Sequence, residues 1–194
     1  MNLDKNFLAL DLELNQPSNK IIQVGITIGN RKQIPVQYFK ASWIVDPREH
    51  LRPDIVELTG ITEERILAER KSLSYIAEEI QGYIRTMDCF VNPVTWGGGD
   101  SIELLKEFED LGIHFPCFGR RWVDVKTIHQ YLQITEGKNP KASLRSALAR
   151  WNLKFDGRQH DAGDDAYNTL KLFFYLLDRQ DKINYAKNML SSIK

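Results

Sequence analysis

The apolar pattern of the chain changes rhythm early. Phe7, Leu8, Ala9 and Leu10 form a continuous apolar run, after which "DLELN" alternates acid and leucine. A short apolar run followed by period-two alternation predicts a strand with one buried face. Two further segments, "KIIQVGITIGN" and "PVQYFKASWIVD", are rich in β-branched and aromatic residues and are separated by the turn-like "GNRKQIP". Three such strands in succession predict an antiparallel meander.

The apolar spacing then becomes helical. "RPDIVELTG" reads as a short helix closed by Gly60, and Thr62 is placed to cap the turn beginning "TEERI". Ser72 can cap "LSYIAEEIQGYIRTM", in which Leu73, Ile76, Ala77, Ile80 and Ile84 share one face. "CFVNPVTW" reads as a buried strand, which Pro93 makes an edge strand or an irregular one. It ends in "GGGD" and leads into the amphipathic "SIELLKEFEDLG". "RRWVDVKTIHQYL" predicts a short strand entering a helix, and "KASLRSALARWN" another helix. In "HDAGDDAYNTLKLFFYLLDRQ", Ala166, Leu170, Phe173, Phe174 and Leu177 lie along one side of a long helix. A meander followed by alternating helices and strands predicts an α/β domain with a mixed sheet covered by helices.

At 194 residues the chain is read as one domain, 1–194. Hydrophobic residues make up 42% and charged residues 27%, the proportions of a globular protein. No apolar run approaches the ~20 residues of a membrane helix, and "MNLDKN" lacks the features of a signal peptide, so no membrane association and a cytoplasmic setting are expected. Cys89 and Cys117 lack metal-site spacing and are expected as thiols, Cys89 in the core. The formal net charge of zero argues against broad electrostatic wrapping of a duplex. A metal site needs clustered acids, however, and these offset basic residues used elsewhere, so local grouping matters more than the sum.

That grouping is unusual. Asp11 and Glu13 fall on the same face of their strand, where two like charges repel and burial raises the cost. Either the strand frays into solvent there, or something positive lies between them. Asp100, after three glycines, occupies a helix N-cap position. Asp165 lies at the head of the long apolar helix face, with His160 five residues earlier and Asp161 one turn away on nearly the same face. A buried acid at Asp165 would be costly without a cation.

Asp11, Glu13, Asp100, His160 and Asp165, carried by "LALDLELN", "TWGGGD" and "HDAGDDAYNT", resemble in order and context the DEDDh 3′-to-5′ exonucleases of the ribonuclease-H-like superfamily. "IVELTGIT", "WGGGD" and "FDGRQHDAGDDAYN" are similar, more narrowly, to the Eri-type subgroup, whose members trim RNA 3′ ends. The likeness runs from about Phe7 to Leu177. One position departs from it: where that subgroup often has an aromatic residue before the second-motif aspartate, this chain has Gly99.

The resemblance implies a three-layer fold with a mixed five-stranded sheet. It also implies two divalent cations, Mg²⁺ or Mn²⁺, held by Asp11, Glu13, Asp100 and Asp165, with His160 as general base. Carboxylate oxygens are the ligands such ions favour. The implied activity is hydrolysis of phosphodiester bonds from single-stranded 3′ ends, of RNA in preference to DNA, releasing nucleoside 5′-monophosphates. A DNA-directed exonuclease, or a silent nucleic-acid-binding domain on the same scaffold, are the alternatives. By resemblance, Leu14 and Asn15 meet the terminal nucleotide and Leu58 and Ile61 form another wall, although Leu14, Leu58 and Ile61 also suit ordinary packing. Arg158 is a candidate phosphate ligand or a surface ion pair. Lys138, Lys141 and Arg145 either guide a single strand or form a solvated face. His160 has the alternative of a surface cap held by Asp161 and Asp164.

Overall fold

In the computed structural model, which describes residues 5–113 and 118–192, the first strand is β1 (Phe7–Asn15). It pairs antiparallel with β2 (Lys20–Gly29), which in turn pairs antiparallel with β3 (Tyr38–Ile44), giving the expected meander. Alternation along β1 sends Leu8, Leu10 and Leu12 to one side of the sheet and Phe7 and Ala9 to the other. A register shift between Glu13 and Leu14 marks a bulge, beyond which Leu14 and Asn15 still pair with β2.

The next elements are α1 (Pro53–Thr59), α2 (Glu63–Glu69) and α3 (Leu73–Thr86). Gly60 adopts the left-handed conformation (φ 66°) that closes α1. The Thr62 hydroxyl accepts from the Arg65 N–H at 3.2 Å and the Ser72 hydroxyl from the Tyr75 N–H at 3.2 Å, so both expected caps are present. β4 (Val94–Thr95) follows, then α4 (Gly99–Asp110), β5 (Val123–Asp124), α5 (Val125–Thr135), α6 (Leu144–Arg150) and α7 (Ala162–Ser192).

The five strands are ordered β3-β2-β1-β4-β5, with β4 and β5 parallel to β1. Pro93 had suggested an edge strand, but β4 is interior. The strand is merely short: its ladder begins after the proline, whose carbonyl still accepts from the Val123 N–H at 2.8 Å. Leu8, Leu10 and Leu12 pack with Ile76 and Ile80 of α3 and Leu104 and Phe108 of α4. On the opposite face Ala9 and Val94 pack with Val125 of α5, Leu148 of α6 and Leu170, Phe173 and Phe174 of α7. The result is a mixed sheet between two helical layers. Each fully buried leucine contributes about 1.5–3 kcal/mol. Cys89 is buried, as expected, and Cys117 lies outside the described residues.

Candidate active site

Four acids and one histidine converge where the end of β1 meets the N-termini of α4 and α7. Asp11 and Glu13 leave β1 on one face, and Glu13 is only 7% exposed. Asp100 is not the N-cap of α4. Gly98 takes that position, and Asp100 lies in the first turn, where the backbone N–H groups of Leu12 and of Asp100 itself favour its ionised carboxylate. Asp165 occupies the first turn of α7.

His160 is not on the helix. It precedes α7 in a left-handed conformation (φ 62°), and its backbone N–H donates to Asp165 Oδ2 at 3.2 Å. Ligand atoms of Glu13, His160 and Asp165 lie within 4.8 Å of one another. Neither neighbouring acid has the histidine ring as its hydrogen-bond partner. Asp161 caps α7 through Oδ1, accepting from the N–H groups of Gly163 (3.1 Å) and Asp164 (3.2 Å). Asp164 accepts from the Arg158 N–H at 2.7 Å and pairs with Lys40.

Several residues position this cluster without having shown themselves in the sequence. Gln23, paired in register with Glu13, donates to Asp161 Oδ2 at 3.1 Å and accepts from the Ala162 N–H at 3.1 Å, clamping the head of α7 to β2. Gly25, paired with Asp11, lets the α7 backbone lie against the sheet. Asn168, fully buried, accepts from the Asp156 N–H (3.0 Å) and donates to the carbonyls of Asp156 (2.7 Å) and Asp164 (2.8 Å). Gly157 (φ 84°) leaves the space that the Asp164 carboxylate fills. Only the spacing of Asp164 and Asn168, one helical turn apart, was a local signal for this anchorage.

The cluster holds its protons tightly. Burial first, then the charges of Asp100, Asp165, Glu13 and Asp161, raise Asp11 well above the usual carboxylate range. Burial, followed by Asp165, Asp161 and Asp100, lifts Glu13 to about 8 against the opposing charge of Arg158. Burial pushes Asp100 to about 7 and Asp165 to about 6, in each case opposed by the backbone N–H groups that bond the carboxylate. Among the described residues no lysine or arginine forms an ion pair with any of these four acids. Hard oxygen donors, crowded, half-buried or buried and without an ion-paired lysine or arginine, fit divalent cations.

The other candidates are dispersed. Leu58 and Arg158 line a cleft of ≈ 660 Å³ that His160 also borders. The Arg158 guanidinium sits over Gly60 and approaches the Leu58 carbonyl at 3.5 Å. Ile61, expected along a wall, is instead fully buried with Ile22, Ile44 and Ile55 and offers no surface. Leu14 packs toward the α3–α4 side with the other β1 leucines. Asn15 is buried, its amide donating to Glu49 (2.6 Å) and the His50 carbonyl (3.0 Å) and its oxygen accepting from the Arg52 N–H (3.2 Å). It braces the loop before α1. Lys138 pairs with Glu136 at 2.8 Å, Lys141 is exposed, and Arg145 lines the cleft. At Gly99 a side chain would meet open space.

Comparison with known proteins agrees with this geometry. The nuclease domain of 3′hExo, described as a DEDDh family member bound to rAMP, superposes with a TM-score of 0.75 over 92% of this chain and 94% of that one, at 16% identity. Cell-death related nuclease 4 (CRN-4) gives 0.76 over 90% and 64%, at 18% identity. E. coli exonuclease I in complex with an oligonucleotide gives 0.67 over 92% and 42%, at 18% identity. The chain spans 61% of a full-length 3′-exonuclease that it also resembles, with a TM-score of 0.77, 91% of this chain covered and 16% identity. Among curated proteins none matches in sequence. The profile of the RNase_T exonuclease family matches residues 8–173, and on that match the chain belongs to this family, whose fold it shares with these exonuclease structures.

Proposed function

We propose that the chain is a divalent-metal-dependent 3′-to-5′ exonuclease that removes nucleoside 5′-monophosphates from single-stranded 3′ ends, of RNA in preference to DNA. The observation that carries this reading is the meeting of ligand atoms of Glu13, His160 and Asp165 within 4.8 Å, at acids with which no lysine or arginine forms an ion pair among the described residues. Asp11, Glu13 and Asp165 would hold one ion, and Asp11 with Asp100 the other. Ions bound there would supply positive charge that favours ionisation of the attacking water and offsets the negative charge developing on the departing oxygen. His160, fixed by its backbone bond to Asp165, accepts the proton of the attacking water. The water oxygen bonds to the phosphorus of the terminal nucleotide as the bond from that phosphorus to the 3′ oxygen of the penultimate nucleotide breaks, and that oxygen takes a proton from solvent to become the new 3′ hydroxyl.

RNA is favoured by the narrower Eri-type motifs, and by the likeness in fold to a nuclease domain bound to rAMP and to a 3′-exonuclease recognising a histone mRNA stem-loop. The reading includes a cytoplasmic setting. Among the described residues no helix is long and apolar enough to cross a membrane. The test is digestion of matched 5′-labelled RNA and DNA oligonucleotides, single-stranded and duplex, with Mg²⁺, Mn²⁺ or chelator. A ladder shortening from the 3′ end, faster on single-stranded RNA and absent in chelator, is expected. Shortening from the 5′ end, or cleavage in chelator, would refute the reading, and faster DNA digestion would transfer it to a DNA-directed exonuclease.

A further inference from the structure

The cleft beside His160 is lined by cations and by no acid. Arg145 of α6, Lys154 and Phe155 of the segment after it, Arg158, and Leu58 of α1 surround it together with His160. Among the described residues none of Arg145, Lys154 and Arg158 forms an ion pair. A second cleft of ≈ 650 Å³, near the N-terminus of α3, contrasts with it: there Asp46, Glu49 and Glu107 line the opening beside the cations, Lys20 pairing with Glu107 and Arg70 with Asp46. In a chain of zero formal net charge, three unmatched cations around one opening are a local excess. The excess ends at His160, beyond which Glu13 and Asp165 begin.

That order of charge discriminates along a strand. A polyanion is drawn to the cleft and repelled by the bare acids, so a phosphate chain arriving by the cleft presents its end at His160. The half-exposed Phe155 and the exposed Leu58 give bases an apolar surface of the kind single-strand sites use. Arg145 Nη1 donates to Gln159 Oε1 at 3.1 Å, so a phosphate there also touches the residue next to His160. The volume lies within the range of sites that enclose small ligands, about 300–1,000 Å³.

We propose that this cleft holds the internucleotide phosphates on the 5′ side of the scissile bond, with Arg145 and Lys154 as their ligands; the proposal rests on the exonuclease reading above. Lys138 and Lys141, the other cations expected to guide a strand, do not line it.

The experiment compares binding of fluorescein-labelled RNA dinucleotide and tetranucleotide by anisotropy, with Ca²⁺ in place of Mg²⁺, and cleavage of the same oligonucleotides in Mg²⁺. Wild-type protein should bind the tetranucleotide at least about tenfold more tightly, as charge-assisted contacts imply. Arg145→Ala/Lys154→Ala should lose that gain, and the slope of log affinity against log salt should fall by about 0.7 for each phosphate contact removed. Arg145→Lys/Lys154→Arg should recover most of the affinity, which separates lost charge from lost fold. Lys187→Ala, toward the far end of α7, should behave as wild type. Retention of the full length dependence and salt slope by the double alanine variant overturns the cleft assignment, and so does an equal loss in Lys187→Ala. Wild-type binding with no cleavage in Mg²⁺ overturns instead the exonuclease reading, and with it the placement relative to a scissile bond.

Discussion

Gly25 of β2 and Ala162 at the head of α7 touch backbone to backbone, and a Cβ at Gly25 would overlap the Ala162 carbonyl and the Gly163 nitrogen. Gly25 is the register partner of Asp11, so the helix seats itself beside the strand residue that carries the first acid. Gly25→Ala should lift the head of α7, moving Asp165 and the loop of His160 together. The expected cost is about 1–3 kcal/mol of stability and, because small misplacements weigh heavily on reacting groups, about 10²-fold in turnover. Urea unfolding and single-turnover cleavage measure the two effects. Wild-type turnover in this variant would mean that the seat does not position the site.

The loop from Asp156 to Gln159 should be as sensitive to Asn168, which no substrate reaches. Asn168→Ala removes three hydrogen bonds from a fully buried side chain and leaves the Asp156 amide without its partner. About 1–3 kcal/mol of stability should be lost, with kcat falling more than KM rises, because the loop carries His160 rather than closing over substrate. Asn168→Asp, which keeps the acceptor but turns a carboxylate oxygen toward two carbonyls in a buried site, should be at least as damaging. An unchanged kcat beside a lowered melting temperature would confine Asn168 to a purely structural role.

These relationships explain what the sequence could and could not reveal. The caps at Thr62 and Ser72 and the apolar face of α3 are local and were legible. The five candidate site residues stood out through their resemblance to the DEDDh motifs, and of these the structure brings ligand atoms of Glu13, His160 and Asp165 within 4.8 Å of one another. Gln23 and Gly25 were not legible, since their meaning depends on which residues of β1 lie opposite them and on α7 crossing the sheet there. His160 was expected within a helical turn. Asp161 caps the helix instead, so the histidine stays outside it, free to take a conformation a helix forbids. Ile61 resembled a wall residue because the burial of α1 against β2 and β3 has no signature in "LTGIT".

The acid cluster should make the metal-free protein less stable as pH rises. Folded-state values of about 8 for Glu13, about 7 for Asp100 and about 6 for Asp165 lie above those of an unfolded chain, as does Asp11, so the folded state binds the extra protons. Their contribution is complete below about pH 4 and is lost as pH climbs through the folded values. Melting in chelator should therefore fall between mildly acidic and mildly alkaline buffer, by about 2–4 °C for each kcal/mol. Asp11→Asn should flatten the slope and melt higher at alkaline pH, while abolishing cleavage. Mn²⁺ competes with the same protons, so its stabilisation of the wild type should grow with pH. A metal-free melting temperature that rises with pH, or a slope unaltered in Asp11→Asn, contradicts the cluster.

His160 can be separated from the acids around it by its backbone. Its left-handed φ of 62° is one that asparagine tolerates better than alanine, so His160→Asn removes the imidazole while keeping the N–H that bonds Asp165. If the imidazole is the general base, turnover should fall by about 10²- to 10⁴-fold, with Mn²⁺ stabilisation and oligonucleotide binding close to wild type. Asp165 and Glu13 titrate in the accessible range, so the wild-type pH profile carries the carboxylates whatever else contributes. The variant resolves them: what remains of the profile in His160→Asn belongs to the carboxylates. His160→Ala adds the cost of the strained backbone, and a loss larger than in His160→Asn measures the positioning of Asp165 by the loop. Near-normal rates in His160→Asn would exclude the imidazole as base, and a rate lost only together with Mn²⁺ binding would make it a ligand instead.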